Sequence, residues 1–190
     1  MTSLLLVRHG QSEWNAEGRW QGQADPPLTE RGRRQAERAA ERLAGLGIGV
    51  LIASDLGRAR ETAEILGAHL GLAPRFDPAL RELDVGRWSG HPVAEVARRW
   101  PEELARFRAG DLALRAGGGE SRLALRARAL AALVRLAGAG AAPVAVVSHL
   151  GVLRALRPGA ELAPGELVRF AALAELAAEG HTPEAPTTAL

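Results

Sequence analysis

At 190 residues the chain has the size of one soluble domain, which usually runs ~100 to 200 residues, and it can bury a sizeable core. Hydrophobic residues at 47% and charged residues at 24% exclude a disordered, collagen-like or transmembrane-bundle protein. All 24 basic residues are Arg, interspersed with 22 acidic ones, so the pI near 10.6 reflects the missing Lys and not a basic block that would grip nucleic acid or an anionic membrane.

The chain has no Cys, which removes disulfides, thiolate nucleophiles and Cys-ligated metals together. Leu4-Leu5-Leu6-Val7 is too short for the apolar stretch of a signal peptide, and the expectation is a cytoplasmic protein. That run suits a strand buried on both faces of a parallel sheet, with Arg8-His9-Gly10 at its C-terminal end. Thr29 caps a predicted helix whose apolar face is Ala36, Ala39, Ala40, Leu43 and Leu46, stopped by Gly45 and Gly47. Val50-Leu51-Ile52-Ala53 reads as a second strand, and Ala59, Ala63, Leu66 and Leu70 give the next segment a helical face. A short strand is expected between Pro74 and Pro78, an irregular charged loop from Leu80 to Gly90, and a helical segment over 92–108. Gly117-Gly118-Gly119 precedes a helix with Leu123, Ala127, Leu130 and Val134 on one face. Val144-Ala145-Val146-Val147 is a further strand ending in Ser148-His149, followed by a short helix from Leu150 to Leu156 and a last strand or helix from Leu167 to Leu173. The alternation predicts an α/β protein, a three-layer α/β/α sandwich with a mainly parallel sheet. One domain spans 1–178, and 179–190 is expected to be a mobile tail.

Ligands of open parallel sheets bind at the carboxyl ends of strands. Arg8-His9, Ser54-Asp55 with Arg58, and Ser148-His149 all fall at such ends, so two imidazoles and two guanidiniums converge on one crevice. That set fits a phosphoryl group: Arg8 and Arg58 can each present a planar fork to phosphate oxygens, and the helix after His149 adds backbone N–H groups. Without Cys or a clear metal-ligand cluster, the available nucleophile is an imidazole, kept neutral by the arginines.

With these residues in view, Leu6-Val7-Arg8-His9-Gly10-Gln11-Ser12-Glu13-Trp14-Asn15 resembles the signature of the histidine phosphatase superfamily, the phosphoglycerate mutase-like family. Asp25-Pro26-Pro27-Leu28-Thr29 with Gly32 and Gln35-Ala36, then Ser54-Asp55-Leu56 with Arg58-Ala59 and Thr62-Ala63, resemble its next blocks. Arg81-Glu82 with Leu83 to Gly90, Gly118-Gly119-Glu120-Ser121 and Ser148-His149 complete the order, from Leu4 to Leu156. The resemblance implies that His9 becomes phosphohistidine while Arg8, Arg58, His149 and the Leu150 N–H bind phosphoryl oxygens. It implies that Asn15, Gln21 and Gly22 contact substrate and that Glu82 protonates the leaving oxygen and then activates water. Leu150 departs from the Gly common in the family after the second histidine, and could narrow the crevice or shift the helix start.

Alternatives accompany each role. Glu61, Asp84 and Glu120 compete with Glu82 as the acid; Asn15 also reads as a cap; Trp14, Trp20 and Trp88 read as packing before substrate contact. Arg98-Arg99 reads as a solvated pair, and His69, His91 and His181 as surface residues with no metal-site spacing. The expected function is a metal-independent phosphomonoester hydrolase acting on a small phosphorylated metabolite, with no cofactor, no nucleic-acid or membrane partner, and a homodimer as the oligomeric prior. The alternatives are a cofactor-dependent phosphoglycerate mutase and a phosphate-binding pseudoenzyme spoiled by Leu150.

Overall fold

The apolar runs form strands β1 (Leu4–Arg8), β2 (Val50–Ala53) and β4 (Val144–Ser148), joined by the shorter β3 (Arg75–Phe76) and β5 (Leu167–Phe170). The computed structural model describes residues 3–137, 142–157 and 162–170. The strands make one sheet in the order β3-β2-β4-β1-β5, parallel throughout except for the antiparallel pairing of β1 with β5. The expected last element is thus a strand at 167–170; residues 171–173 and the expected tail lie outside the described residues.

Successive strand residues point to opposite faces, which is why these runs are apolar at every position. Leu5, Val7, Leu51, Ala53, Ala145 and Val147 pack beneath α2 (Glu30–Leu43) and α3 (Gly57–Leu70). Leu4, Leu6, Ile52, Val144 and Val146 face α6 (Arg122–Ala137) and α7 (Leu150–Leu156). The result is the three-layer α/β/α sandwich. Three further helices, α1 (Glu13–Ala16), α4 (Val93–Arg99) and α5 (Pro101–Arg108), lie in the connections beyond the strand ends.

Thr29 caps α2 as its sequence suggests, its hydroxyl accepting from the Gly32 N–H at 3.0 Å. The helix stops at Leu43, so Leu46 lies beyond it and is exposed. The helical segment over 92–108 is two helices, because Pro101 lacks an N–H and begins α5 with Trp100 in a non-helical conformation. The face assigned to α6 is also corrected. Leu123, Ala127 and Val134 are exposed, and the buried residues are Leu125, Ala129, Ala132 and Leu133. α6 is apolar nearly all round, so periodicity alone fits more than one face. Trp88 is fully buried, with Trp20 tilted against it and Phe107 edge-on at ring separations of 5.1 and 5.5 Å, and both tryptophans pack in the core.

Among the described residues no helix is long and apolar enough to cross a membrane. The α6 assignment sets a stability contrast: Leu133→Ala leaves a core cavity and is expected to cost about 2–5 kcal/mol, whereas Leu123→Ala stays within about 0.5 kcal/mol. Urea unfolding of the two variants measures it, and equal costs would contradict the assigned face.

Candidate active site

β1 and β4 are neighbours in register, Arg8 opposite Ser148, and the His9 N–H donates to the Ser148 carbonyl at 2.9 Å. This pairing delivers the next residue of each strand, His9 and His149, to the same end of the sheet. Their rings lie 5.0 Å apart and both are buried. His9 Nδ1 is 2.6 Å from the Gly10 carbonyl oxygen; a carbonyl can only accept, so the ring proton sits on Nδ1 and Nε2 keeps its lone pair. Burial, then Arg58 and Arg8, hold the imidazole well below its ordinary value of 6.5, which keeps that lone pair free in neutral solution.

The turn that aims His9 requires two glycines in backbone contact. A Cβ on Gly10 would come within 2.3 Å of the Gly32 carbonyl oxygen, and one on Gly32 within 2.2 Å of the Gln11 carbonyl oxygen. The first turn of α2 thus presses on the loop after β1, and the Thr62 hydroxyl accepts from the Gly10 N–H at 3.1 Å.

His149 Nε2 meets the Ser54 hydroxyl at 2.9 Å at the end of β2, while its Nδ1 is buried without a partner among the described residues. Burial, Arg58 and His9 hold this ring well below 6.5 as well. His149 is the N-cap of α7, which starts at Leu150, and the Leu153 N–H donates to the His149 carbonyl at 3.0 Å. Leu150 is half-buried and leaves the helix start in place.

The guanidiniums are anchored in the protein. Arg58 is 1% exposed, and its two terminal nitrogens donate to the Ala24 and Gly22 carbonyls at 2.6 and 2.9 Å, with Asp25 at 3.6 Å. The fork expected to face an anion therefore grips the 22–25 loop, because a buried guanidinium needs carbonyl acceptors; its Nε–H is buried without a partner among the described residues. Asp25 Oδ2 accepts from the Gly57 N–H at 2.7 Å, tying the same loop to the start of α3. Arg8 donates through Nη1 to the Leu162 carbonyl at 2.7 Å.

Asn15 acts as a cap: its Oδ1 accepts from the Ser12 N–H at 3.1 Å and its own N–H donates to the Ser12 hydroxyl at 3.2 Å. Its amide nitrogen makes no protein hydrogen bond among the described residues. The Ser12 hydroxyl donates to Gln21 Oε1 at 2.8 Å. Gly22 is buried at φ +53, where an added Cβ would strike Val85 at 2.8 Å.

Of the four candidate acids, only Glu82 reaches the start of α7. Its Oε1 accepts from the Leu83 N–H at 2.7 Å and its Oε2 from the Gly151 N–H at 3.2 Å. A Cβ on Gly151 would sit 2.1 Å from Glu82 Oε1, so this glycine, two residues after His149, makes room for the carboxylate. Glu61 pairs with Arg33 at 2.6 Å, Asp84 caps the Gly86 N–H at 2.9 Å, and Glu120 pairs with Arg128 at 2.7 Å. Arg128, which the sequence reading did not single out, also donates to the Glu82 carbonyl at 2.9 Å; the adjoining Gly118-Gly119-Glu120-Ser121 block was the one available pointer. Beside this loop opens a cleft of about 350 Å³ lined by Gln23, Asp84, Arg115, Glu120 and Ser121 among others. Among the described residues no group of three His, Asp or Glu could hold a metal ion.

The family model of the histidine phosphatase superfamily (branch 1) matches residues 4–179. A Cronobacter sakazakii protein named probable phosphoglycerate mutase GpmB is 55% identical over 55% of this chain and 50% of its own length. Its Salmonella paratyphi B namesake is 43% identical over 70% of this chain and 62% of its own; the chain thus spans half to three fifths of the curated relatives it matches. The solved mycobacterial glucosyl-3-phosphoglycerate phosphatase, in complex with VO3, superposes with a TM-score of 0.82 at 32% identity, over 89% of this chain and 92% of that one. The two buried histidines, the anchored arginines and the family match from strand β1 onward make this chain a member of the histidine phosphatase superfamily.

Proposed function

We propose that the chain hydrolyses a small phosphorylated metabolite, a phosphomonoester, through a phosphohistidine and without a metal. The observation that carries this reading is the buried His9 with its proton fixed on Nδ1 by the Gly10 carbonyl, which leaves Nε2 as an uncharged nucleophile. Nε2 attacks phosphorus, the phosphorus–oxygen ester bond breaks with its electron pair going to the leaving oxygen, and protonated Glu82 supplies the proton to that oxygen. Water then attacks the phosphohistidine, Glu82 takes the water proton, and inorganic phosphate leaves with His9 restored. Arg8, the Arg58 Nε–H, the His149 ring and the amide of Asn15 are the donors for the three phosphoryl oxygens, whose charge they stabilise. Gln21, Gly22 and the Leu150 N–H line the approach to it.

Hydrolysis is the first reading, supported by the likeness to a glucosyl-3-phosphoglycerate phosphatase, which spans more of both chains than the likeness to the mutase-named relatives. The mutase remains the second reading because of the names of the relatives. The undisturbed start of α7 at Leu150 supports a working site over a binding-only module.

Phosphate release from a panel of phosphomonoesters in excess EDTA, on wild type and His9→Ala, tests the reading. Turnover should survive chelation and fall to background in the variant, with acid-labile phosphate trapped on wild type only; phosphate passed to an added phosphoglycerate without net release would establish the mutase instead.

Gly151→Ala separates chemistry from stability. The methyl displaces a flexible carboxylate and not backbone, and Ala suits a helix better than Gly by about 1 kcal/mol, so the melting temperature should hold or rise. In contrast, kcat/KM on alkyl esters should drop about 10- to 100-fold for want of the acid; unchanged alkyl-ester kinetics would remove Glu82 from this role.

The histidines also set a pH dependence. Both are neutral in the fold with depressed values, whereas in the unfolded chain they titrate near 6.5. The unfolded state therefore binds more protons below that pH, so their stabilising effect is complete above about 6.5 and is lost as the pH falls towards the depressed folded values. Urea midpoints should decrease from pH 7 to pH 5, and the acid limb of kcat/KM should lie below 6.5. A limb at or above 6.5 would show that His9 is not held neutral.

A further inference from the structure

The stretch carrying Glu82 has no strand or helix ladder to fix it between the turn at 78–80 and the turn at 86–88. Its backbone acceptors are taken by side chains instead. Arg128, projecting from α6, donates through Nη1 to the Ala79 and Arg81 carbonyls, both at 2.8 Å, and through Nη2 to the Glu82 carbonyl at 2.9 Å. Ser148 takes the Leu80 carbonyl at 2.8 Å, and Gln23 adds a weaker contact to the Glu82 carbonyl at 3.3 Å. Arg128 is itself held by Glu120, with Nε to Oε1 at 2.7 Å and Nη2 to Oε2 at 2.8 Å, in the fork-to-fork geometry that adds direction to charge. On the other side the Arg81 guanidinium is fixed by both oxygens of Asp55 at 2.7 and 2.6 Å.

We propose that Arg128, oriented by Glu120, is the positioning residue that holds Glu82 in the place from which it transfers its proton. The inference rests on the reading of Glu82 as the acid. Arg128 touches neither phosphate nor leaving group; it acts by binding three carbonyls of one loop at once, which a single planar guanidinium can do and an ammonium cannot match. A carboxyl group displaced by about 1 Å loses much of its catalytic advantage, so the effect on chemistry should exceed the effect on folding.

The experiment compares kcat/KM for an alkyl ester, glycerol phosphate, with that for p-nitrophenyl phosphate, whose phenolate departs without a proton. Arg128→Lys, Arg128→Gln, Glu120→Gln and Glu82→Gln are measured beside wild type, each checked by thermal melting. Loss of a positioned acid should cut the alkyl-ester value about 10- to 100-fold in the Arg128 variants and several-fold in Glu120→Gln, with the aryl ester changed less than about threefold. A merely structural role would depress both substrates equally, and that result would overturn the proposal. Should Arg128→Gln not fold, Arg128→Lys and Glu120→Gln still decide it. Glu82→Gln separates the two levels: if it discriminates between the esters and the Arg128 variants do not, only the positioning role fails, whereas if it too affects both equally, the acid reading fails and this proposal with it.

Discussion

The hydrogen bond from His9 Nδ1 to the Gly10 carbonyl, 2.6 Å long inside the protein, is the constraint on which the site depends. It fixes the tautomer and the ring plane together, and it exists because the chain turns back on itself immediately after β1. That turn is possible only where two backbones meet without side chains, at Gly10 and Gly32. The carbonyl alone would favour a charged ring, since it stabilises the Nδ1 proton. Burial and the two nearby guanidiniums act in the opposite direction and prevail. The imidazole therefore remains a base that has lost its protecting water.

A buried guanidinium and a half-buried one close to the same histidine would repel each other and lose hydration, and the fold answers with oxygen. Arg58 takes two main-chain carbonyls and the nearby Asp25, and Arg8 takes the carbonyl of Leu162. These bonds leave the positive field in place while holding each guanidinium in one orientation. They also recruit the 22–25 loop and the segment before β5 into the wall of the site. Electrostatics and architecture are thus the same set of contacts viewed from two sides.

Much of this was legible in the sequence. Leu4 to Val7 and Val144 to Val147 suited strands buried on both faces, and a histidine two residues after each put the candidate site at one sheet end. Thr29 marked its helix start because a hydroxyl before an amphipathic run has a single local job. The face of α6 was not legible, since leucines and alanines surround it and only the tertiary packing distinguishes Leu133 from Leu123. Arg128 was hidden for a related reason. Its partners are main-chain carbonyls 46 to 49 residues away, and a carbonyl carries no residue identity for a pattern to register. Leu150 looked like damage when position 150 was compared with the family's glycine. The fold places the demanding contact one residue later, where a side chain at Gly151 would displace the Glu82 carboxylate.

The strand order β3-β2-β4-β1-β5 puts β1, the first of the described strands, between the last two of them. During synthesis β1 therefore has no partner until β4 has been made, and its loop lacks the Gly165 N–H, which donates to the Arg8 carbonyl at 3.0 Å and reaches that of His9 at 3.2 Å, until later still. Closing contacts over such separations is entropically costly and slow. His9, which precedes nearly all of its neighbours in the described sequence, is consequently among the last described parts to take shape, and a nascent chain leaves that imidazole open to water until those neighbours are available to enclose it.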